Sequence, residues 1–192
     1  MSTTSKTQTL IDSASSNTDN ETTIEKQIDK KEEELKKIKG QKFQELSNWL
    51  NKWGFEQIDT TKDNKIEGIE FQLQITPQLP YSTGESTPLY LEFQQDLDDG
   101  FILRTTFEFL EKKDTQTNEI NFDSGYNQLE NLIYPMNVSM IKSYPLINIY
   151  KVIFYDVLTK QVFLDSVNGL IHAMSLIVNK MNEIPPSIAQ KT

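Results

Sequence analysis

The side chains able to do chemistry are few. The 192 residues contain one histidine, His172, and no cysteine. Thiolate nucleophiles, disulfides and cysteine-bound zinc are therefore excluded. His172 stands between Leu170 and Met174 and flanks their apolar stripe, so it reads as a surface or partly buried histidine rather than a general base. No Ser-His-Asp set assembles around it. The seven glycines form neither GxGxxG nor GxxxxGK[ST], which removes the common phosphate-cradling loops. Carboxylates remain. Asp96, Asp98 and Asp99 form a compact cluster, and the alternative function it suggests is a metal-binding protein or an enzyme using carboxylates with a divalent ion. An EF-hand calcium loop needs Gly at its sixth position and Glu at its twelfth, and Gly100 follows Asp96 too soon. A hairpin turn through Asp98, Asp99 and Gly100 explains the same residues. The pairs Glu67/Glu70 and Glu108/Glu111 read as solvated strand faces. Glu108 lies opposite in face to Phe107 and Phe109 and points to water, where nothing tunes its acidity. No catalytic, cofactor-binding or metal-ligating residue is assigned, and the chain reads as non-enzymatic.

Charge says more about partners. The net charge is −9. Residues 1 to 40 hold 7 Lys against 8 Asp and Glu, whereas residues 41 to 192 hold 12 basic against 20 acidic side chains. Arg104 is the single arginine. Nucleic-acid binding calls for clustered cations, so it is disfavoured, as is an anionic membrane. A basic or apolar protein partner, or self-association, suits this surface. No apolar run approaches the 18 residues of a transmembrane span, and the N-terminus lacks the apolar core of a signal peptide. A cytoplasmic location is expected. Asn137-Val138-Ser139 matches a glycosylation pattern that carries no weight without such a signal.

The elements positioning these residues follow from periodicity. Residues 1–23 read as a disordered tail. Ile24–Lys39 favours a charged helix, with Ile24, Ile28, Leu35 and Ile38 on heptad core positions and Lys31 interrupting them. It reads as a solvated helix of Glu–Lys pairs or as a short coiled coil for dimerisation, and Gly40 marks an interruption. Gln41–Trp53 is a second helix with Phe43, Leu46, Leu50 and Trp53 on one face and Trp49 beside it. The tryptophans are packing groups or line an exposed aromatic groove; Trp49 and Trp53 are the candidate protein-binding surface.

Three strands follow. Ile69, Phe71, Leu73 and Ile75 alternate with Glu70, Gln72 and Gln74. Leu89, Leu91 and Phe93 alternate again, and Phe101–Phe109 returns after the turn. Thr76–Pro88 is a long loop and Glu111–Asn121 a polar connection. A helix capped by Asp123 or Ser124 runs through Tyr126, Leu129, Leu132 and Ile133. At Pro135 it kinks, or it stops and restarts with Met136, Met140 and Ile141 continuing its apolar face until Tyr144-Pro145. Leu146–Tyr155 is apolar on both faces, which predicts a strand inside a sheet. The last helix, capped by Thr159 with Asp156 as the alternative, carries the apolar stripe Phe163, Val167, Leu170, Met174, Ile177 and Met181 and ends near Asn182, before Pro185-Pro186. Residues 41–183 are thus expected as a single α+β domain, an antiparallel sheet flanked by helices in the order α-βββ-α-β(β)-α, with 184–192 as a tail.

The closing pattern Ile149-Tyr150…Phe154-Tyr155-Asp156-Val157-Leu158-Thr159-Lys160…Phe163…Ser166-Val167 resembles an archaeal family of uncharacterised proteins. Their fold is similar to type III secretion chaperones and YbjN-like proteins. The resemblance covers about residues 41 to 183. It implies a small, often dimeric α+β domain that binds other proteins and carries no defined catalytic residues. Residues 1–40 fall outside it.

Overall fold

The computed structural model describes residues 8–63, 66–77, 87–108 and 125–183, with side chains from 26 to 180. The chain divides into two compact units, Met1–Lys42 and Phe43–Thr192. Helix α1 is Gln8–Lys52, and its residues up to Lys42 make up the described part of the first unit. Residues 8–23, expected as a disordered tail, are helical, and α1 passes Gly40 without a break. A single glycine costs a helix only about 1 kcal/mol, too little to end a sequence this rich in Lys, Glu and Gln. Ile28 and Ile38, two of the expected heptad positions, are exposed.

The second unit is an antiparallel sheet with helices. Its six strands are β1 (Glu56–Asp59), β2 (Ile69–Thr76), β3 (Leu89–Gln94), β4 (Gly100–Glu108), β5 (Ser139–Ser143) and β6 (Leu146–Phe154), in the spatial order β1-β2-β3-β4-β6-β5. The fold class is therefore α+β, in the expected order, with β1 added before the first hairpin and both of the strands allowed for after α2 present. Helix α2 (125–133) leads into a 3-10 turn at Tyr134–Met136, where Pro135 occupies an early position. The helix thus stops before the proline, as ring sterics require. Met140 and Ile141, expected to continue a helical face, belong to β5 instead. Tyr144 and Pro145 form the turn of the β5–β6 hairpin. The expected loop over Thr76–Pro88, the connection Glu111–Asn121, the caps Asp123 and Ser124 and the tail 184–192 lie wholly or mostly outside the described residues.

One face of the sheet holds the core. Leu73, Ile75, Leu89, Leu91, Phe93, Phe101, Leu103, Phe107, Ile147, Ile149 and Ile153 are buried there, alternating along their strands as a period of two demands. Phe43, Leu46 and Leu50 of α1 close over them, as do Phe163, Val167, Leu170, Met174 and Ile177 of α3, Lys160–Glu183. Thr159 caps α3: its Oγ1 accepts the Val162 N–H at 3.1 Å. The stretch Lys160–Lys180 has a mean hydropathy of 1.3, enough by length and composition to cross a membrane. Its apolar stripe is instead the fully buried side of a core helix.

Candidate functional site on the uncovered sheet face

The opposite face of the sheet carries no described helix. Ile102, Tyr150, Val152 and Phe154 lie on it, and none of them belongs to the core cluster. β6 runs between β4 and β5, inside the sheet as expected, and among the described residues only its odd-numbered side meets the core. Leu146 and Phe154 stand exposed. Apolar residues on both sides of this strand therefore reflect one buried face and one apolar outer strip with Ile102 and, on β5, Ile141.

Across this face runs a hydrogen-bonded line of polar groups that reaches Asn148, between the Leu146 and Val152 ends of the apolar residues. The Thr60 hydroxyl donates to Gln72 Oε1 at 2.8 Å, and Gln72 Nε2 donates to Glu92 Oε1 at 2.9 Å. Arg104 donates to both oxygens of Glu92, Nη2 to Oε1 at 2.6 Å and Nε to Oε2 at 3.1 Å. Arg104 Nη1 donates to Thr106 Oγ1 at 3.2 Å, and that hydroxyl donates to Asn148 Oδ1 at 2.7 Å. The line thus spans β2, β3, β4 and β6 through groups that face one another across the sheet. Glu92 is 1 % exposed and the Arg104 side chain 27 %. A carboxylate so buried persists only when its oxygens are matched by donors and charge, and Gln72 and Arg104 supply both. The hydrogen bond to Glu92 raises the Arg104 pKa against the opposing effect of burial. Tyr90 and Tyr150 pair with Arg104 from either side in the register, and the guanidinium carbon lies 5.9 Å from the Tyr90 ring centroid.

A β-bulge shapes the end of this face. Between Ile69 and Phe71 the β2–β3 register slips, which sets Ile69 opposite Gln94 and Phe71 opposite Phe93. An extra residue reverses the facing of everything before it. Ile69, expected on the core side with Phe71, is consequently on the outer side. A cleft of about 430 Å³ opens there, lined by Ile66, Glu67, Ile69, Glu92, Asp96 and Arg104 among others. Gly68, at φ +85°, makes the turn at its rim, and its carbonyl accepts the Gln95 N–H at 2.8 Å.

The aspartate cluster does not act together. Asp96 lines the cleft, whereas Asp98 and Asp99 lie close enough to Tyr155 to raise its pKa. Burial is the larger cause of that shift and Glu70 also contributes, so that the phenol is pushed up to about 12. Among the described residues no group of three or more His, Asp or Glu side chains is gathered to hold a metal ion. Glu70 is half-buried rather than solvated, because it is the residue the bulge displaces. Glu67, Glu108 and His172 are exposed, and Glu111 lies outside the described residues.

Trp49 and Trp53 are half-buried against the core, with ring centroids 6.0 and 5.8 Å from Phe163. Lys160 Nζ stands 5.7 Å from the Trp49 ring centroid. They end a chain of contacting rings that runs from Phe71 and Phe43 through Phe93, Phe101 and Phe163. Sequence reasoning missed Gln72, Glu92, Arg104 and Asn148 as a set. The available signal was a lone arginine at an outward position of a strand in a chain otherwise using lysine.

The chain matches no family model and no curated protein. It is similar in structure to an uncharacterized protein from Methanothermobacter thermautotrophicus, solved by crystallography, at a TM-score of 0.56 and 13 % identity. The match covers 73 % of this chain and 96 % of that one. At that identity the likeness establishes a shared fold with an archaeal protein and nothing about activity.

Proposed function

We propose that this chain is a non-enzymatic protein-interaction module of the chaperone-like kind, acting in the cytoplasm on a protein partner or a second copy of itself. The observation that carries the reading is the apolar residues on the sheet face that no described helix covers, Ile102, Val152 and Phe154 with the exposed Ile141 and Leu146. Apolar residues on a face that no described helix covers mark a candidate docking surface. The resemblance of the Ile149–Val167 segment to type III secretion chaperone-like and YbjN-like proteins points the same way. The Ile24–Lys39 part of α1 adds a second element for self-association, as a short coiled coil. Half-buried Trp49 and Trp53 act in this reading as packing groups.

The test compares the full chain with a Val152→Asp/Phe154→Asp variant. Light scattering after size exclusion gives the oligomeric state, and affinity capture with quantitative mass spectrometry gives the partners. Loss of self-association, or of a defined set of partners, in the variant alone supports the module. A monomeric wild type whose captured proteins are the same as the variant's refutes it.

A further inference from the structure

The geometry points to the cleft at the β2 bulge as a receptor for a cationic side chain, a lysine or arginine presented by a basic segment of a protein partner. The inference rests on the interaction-module reading and adds the partner's chemistry and a second contact point.

Charge is the first argument. Of the four ionised groups among the described residues lining the cleft, Glu92 and Arg104 neutralise each other through two hydrogen bonds, so the guanidinium is committed to its own carboxylate. Glu67 on the β2 side and Asp96 on the β3 side are left to set the sign of the space between them. Both are exposed, and the surrounding domain is itself acidic. A cation entering there gains from both carboxylates. An anion meets two like charges and an arginine already engaged.

Shape and polarity are the second argument. Ile66 is 55 % exposed, and Ile69 is turned toward the cleft only because of the bulge. An apolar wall beside two exposed carboxylates suits a ligand with an alkyl stem and a charged end, the form of a lysine or arginine side chain. A bare metal ion would have no use for the wall. The floor is built and fixed, since Glu92 is 1 % exposed and held by Gln72 and Arg104. The Gln95 N–H to Gly68 carbonyl bond ties the two sides together.

The experiment titrates the full chain into a fluorescein-labelled acetyl-Gly-Lys-Gly-Lys-Gly-amide at low salt and follows anisotropy. The same titration uses a peptide with norleucine in place of lysine. Two double variants are compared: Glu67→Gln/Asp96→Asn at the cleft, and Glu130→Gln/Asp156→Asn, which removes the same charge elsewhere. The expected result is binding of the lysine peptide, no binding of the norleucine peptide, and a loss of about tenfold in affinity in the cleft variant alone. Equal losses in the two variants would mean attraction to general acidity and would overturn the site. Equal binding of norleucine, or no binding of the lysine peptide, overturns it too. The Val152→Asp/Phe154→Asp protein is run alongside: retained peptide binding there, with unchanged partners in the capture experiment, would sink the apolar strip while leaving the cleft standing.

Discussion

The two faces of this sheet are built from opposite materials. The inner face is apolar throughout its centre and is closed by α1 and α3 through a continuous run of aromatic rings. The outer face is organised by a single hydrogen-bonded line centred on Glu92 and Arg104, with Ile102, Val152, Phe154 and the acidic cleft toward one end of the strands and Ile141 and Leu146 toward the other. Hydrophobic burial is nondirectional, so the inner face supplies most of the stability. A buried ion pair contributes little net stability, because desolvation offsets attraction. What the outer line supplies is position: it fixes where the strip and the cleft lie relative to one another.

The largest test of that contrast is a pair of phenylalanines near one end of the β4–β6 pairing. Phe101 is fully buried on the inner face and touches Phe93, Tyr155 and Phe163, whereas Phe154 is 44 % exposed on the outer face. Phe101→Ala is expected to cost about 3–5 kcal/mol in urea unfolding. Phe154→Ala should stay within about 0.5 kcal/mol while weakening association. Comparable losses of stability at both positions would mean that the outer strip is core.

Next comes the ion pair itself. Glu92→Gln keeps the shape of the side chain but leaves the Arg104 charge without its partner, and a loss of about 3 kcal/mol is expected. Replacing both, Glu92→Met with Arg104→Met, should restore stability to within about 1 kcal/mol of the wild type. A double-mutant cycle by chemical denaturation measures the coupling. A small single-mutant loss would show that the line does not bear on folding.

Gly100 joins the two faces and ranks third. A Cβ there would stand 2.7 Å from the carbonyl oxygen of Ile153 in the paired strand. That atom belongs to the backbone and cannot swing aside, so β4 and β6 must part. Gly100→Ala is expected to cost about 1–3 kcal/mol, read as a lower midpoint of thermal unfolding.

The fold was legible where the signal was local. Alternation at Leu73–Ile75, Leu89–Phe93 and Phe101–Phe107 marks the strands, and the stripe from Phe163 to Ile177 marks α3. Thr159 shows itself as a cap because its hydroxyl reaches only three residues ahead. β1 was not legible, since Glu56–Asp59 is a four-residue edge strand with three exposed side chains and no apolar rhythm. β5 was misread because Met140 and Ile141 fit a continuing helical face as well as a short strand. The outer line escaped for a different reason. Its partners stand 12, 20 and 42 residues apart in sequence, and pairing across four strands leaves no trace in any local window. Ile69 escaped because a bulge is a property of register and not of residue type.

The smallest effect at neutral pH falls at Tyr155, where the inner face ends. Its ring stacks on Phe101, and its hydroxyl is buried without a hydrogen-bond partner among the described residues. Removing that oxygen removes a desolvated polar group and nothing it serves, so Tyr155→Phe should leave stability at pH 7 unchanged or slightly higher. At high pH the same residue becomes visible. Burial, with Asp99, Glu70 and Asp98 nearby, raises its pKa from 10.0 to about 12. The folded state therefore keeps this proton after the unfolded chain has released it. Ionising the phenol inside the fold carries no cost below pH 10, and the cost grows as the pH climbs from 10 through about 12, lowering stability across that window. Wild type should lose stability across that window, and Tyr155→Phe should lose measurably less in matched denaturation series at pH 9, 10 and 11. Identical slopes in the two proteins would place the phenol in water and move it off the buried edge of the inner face.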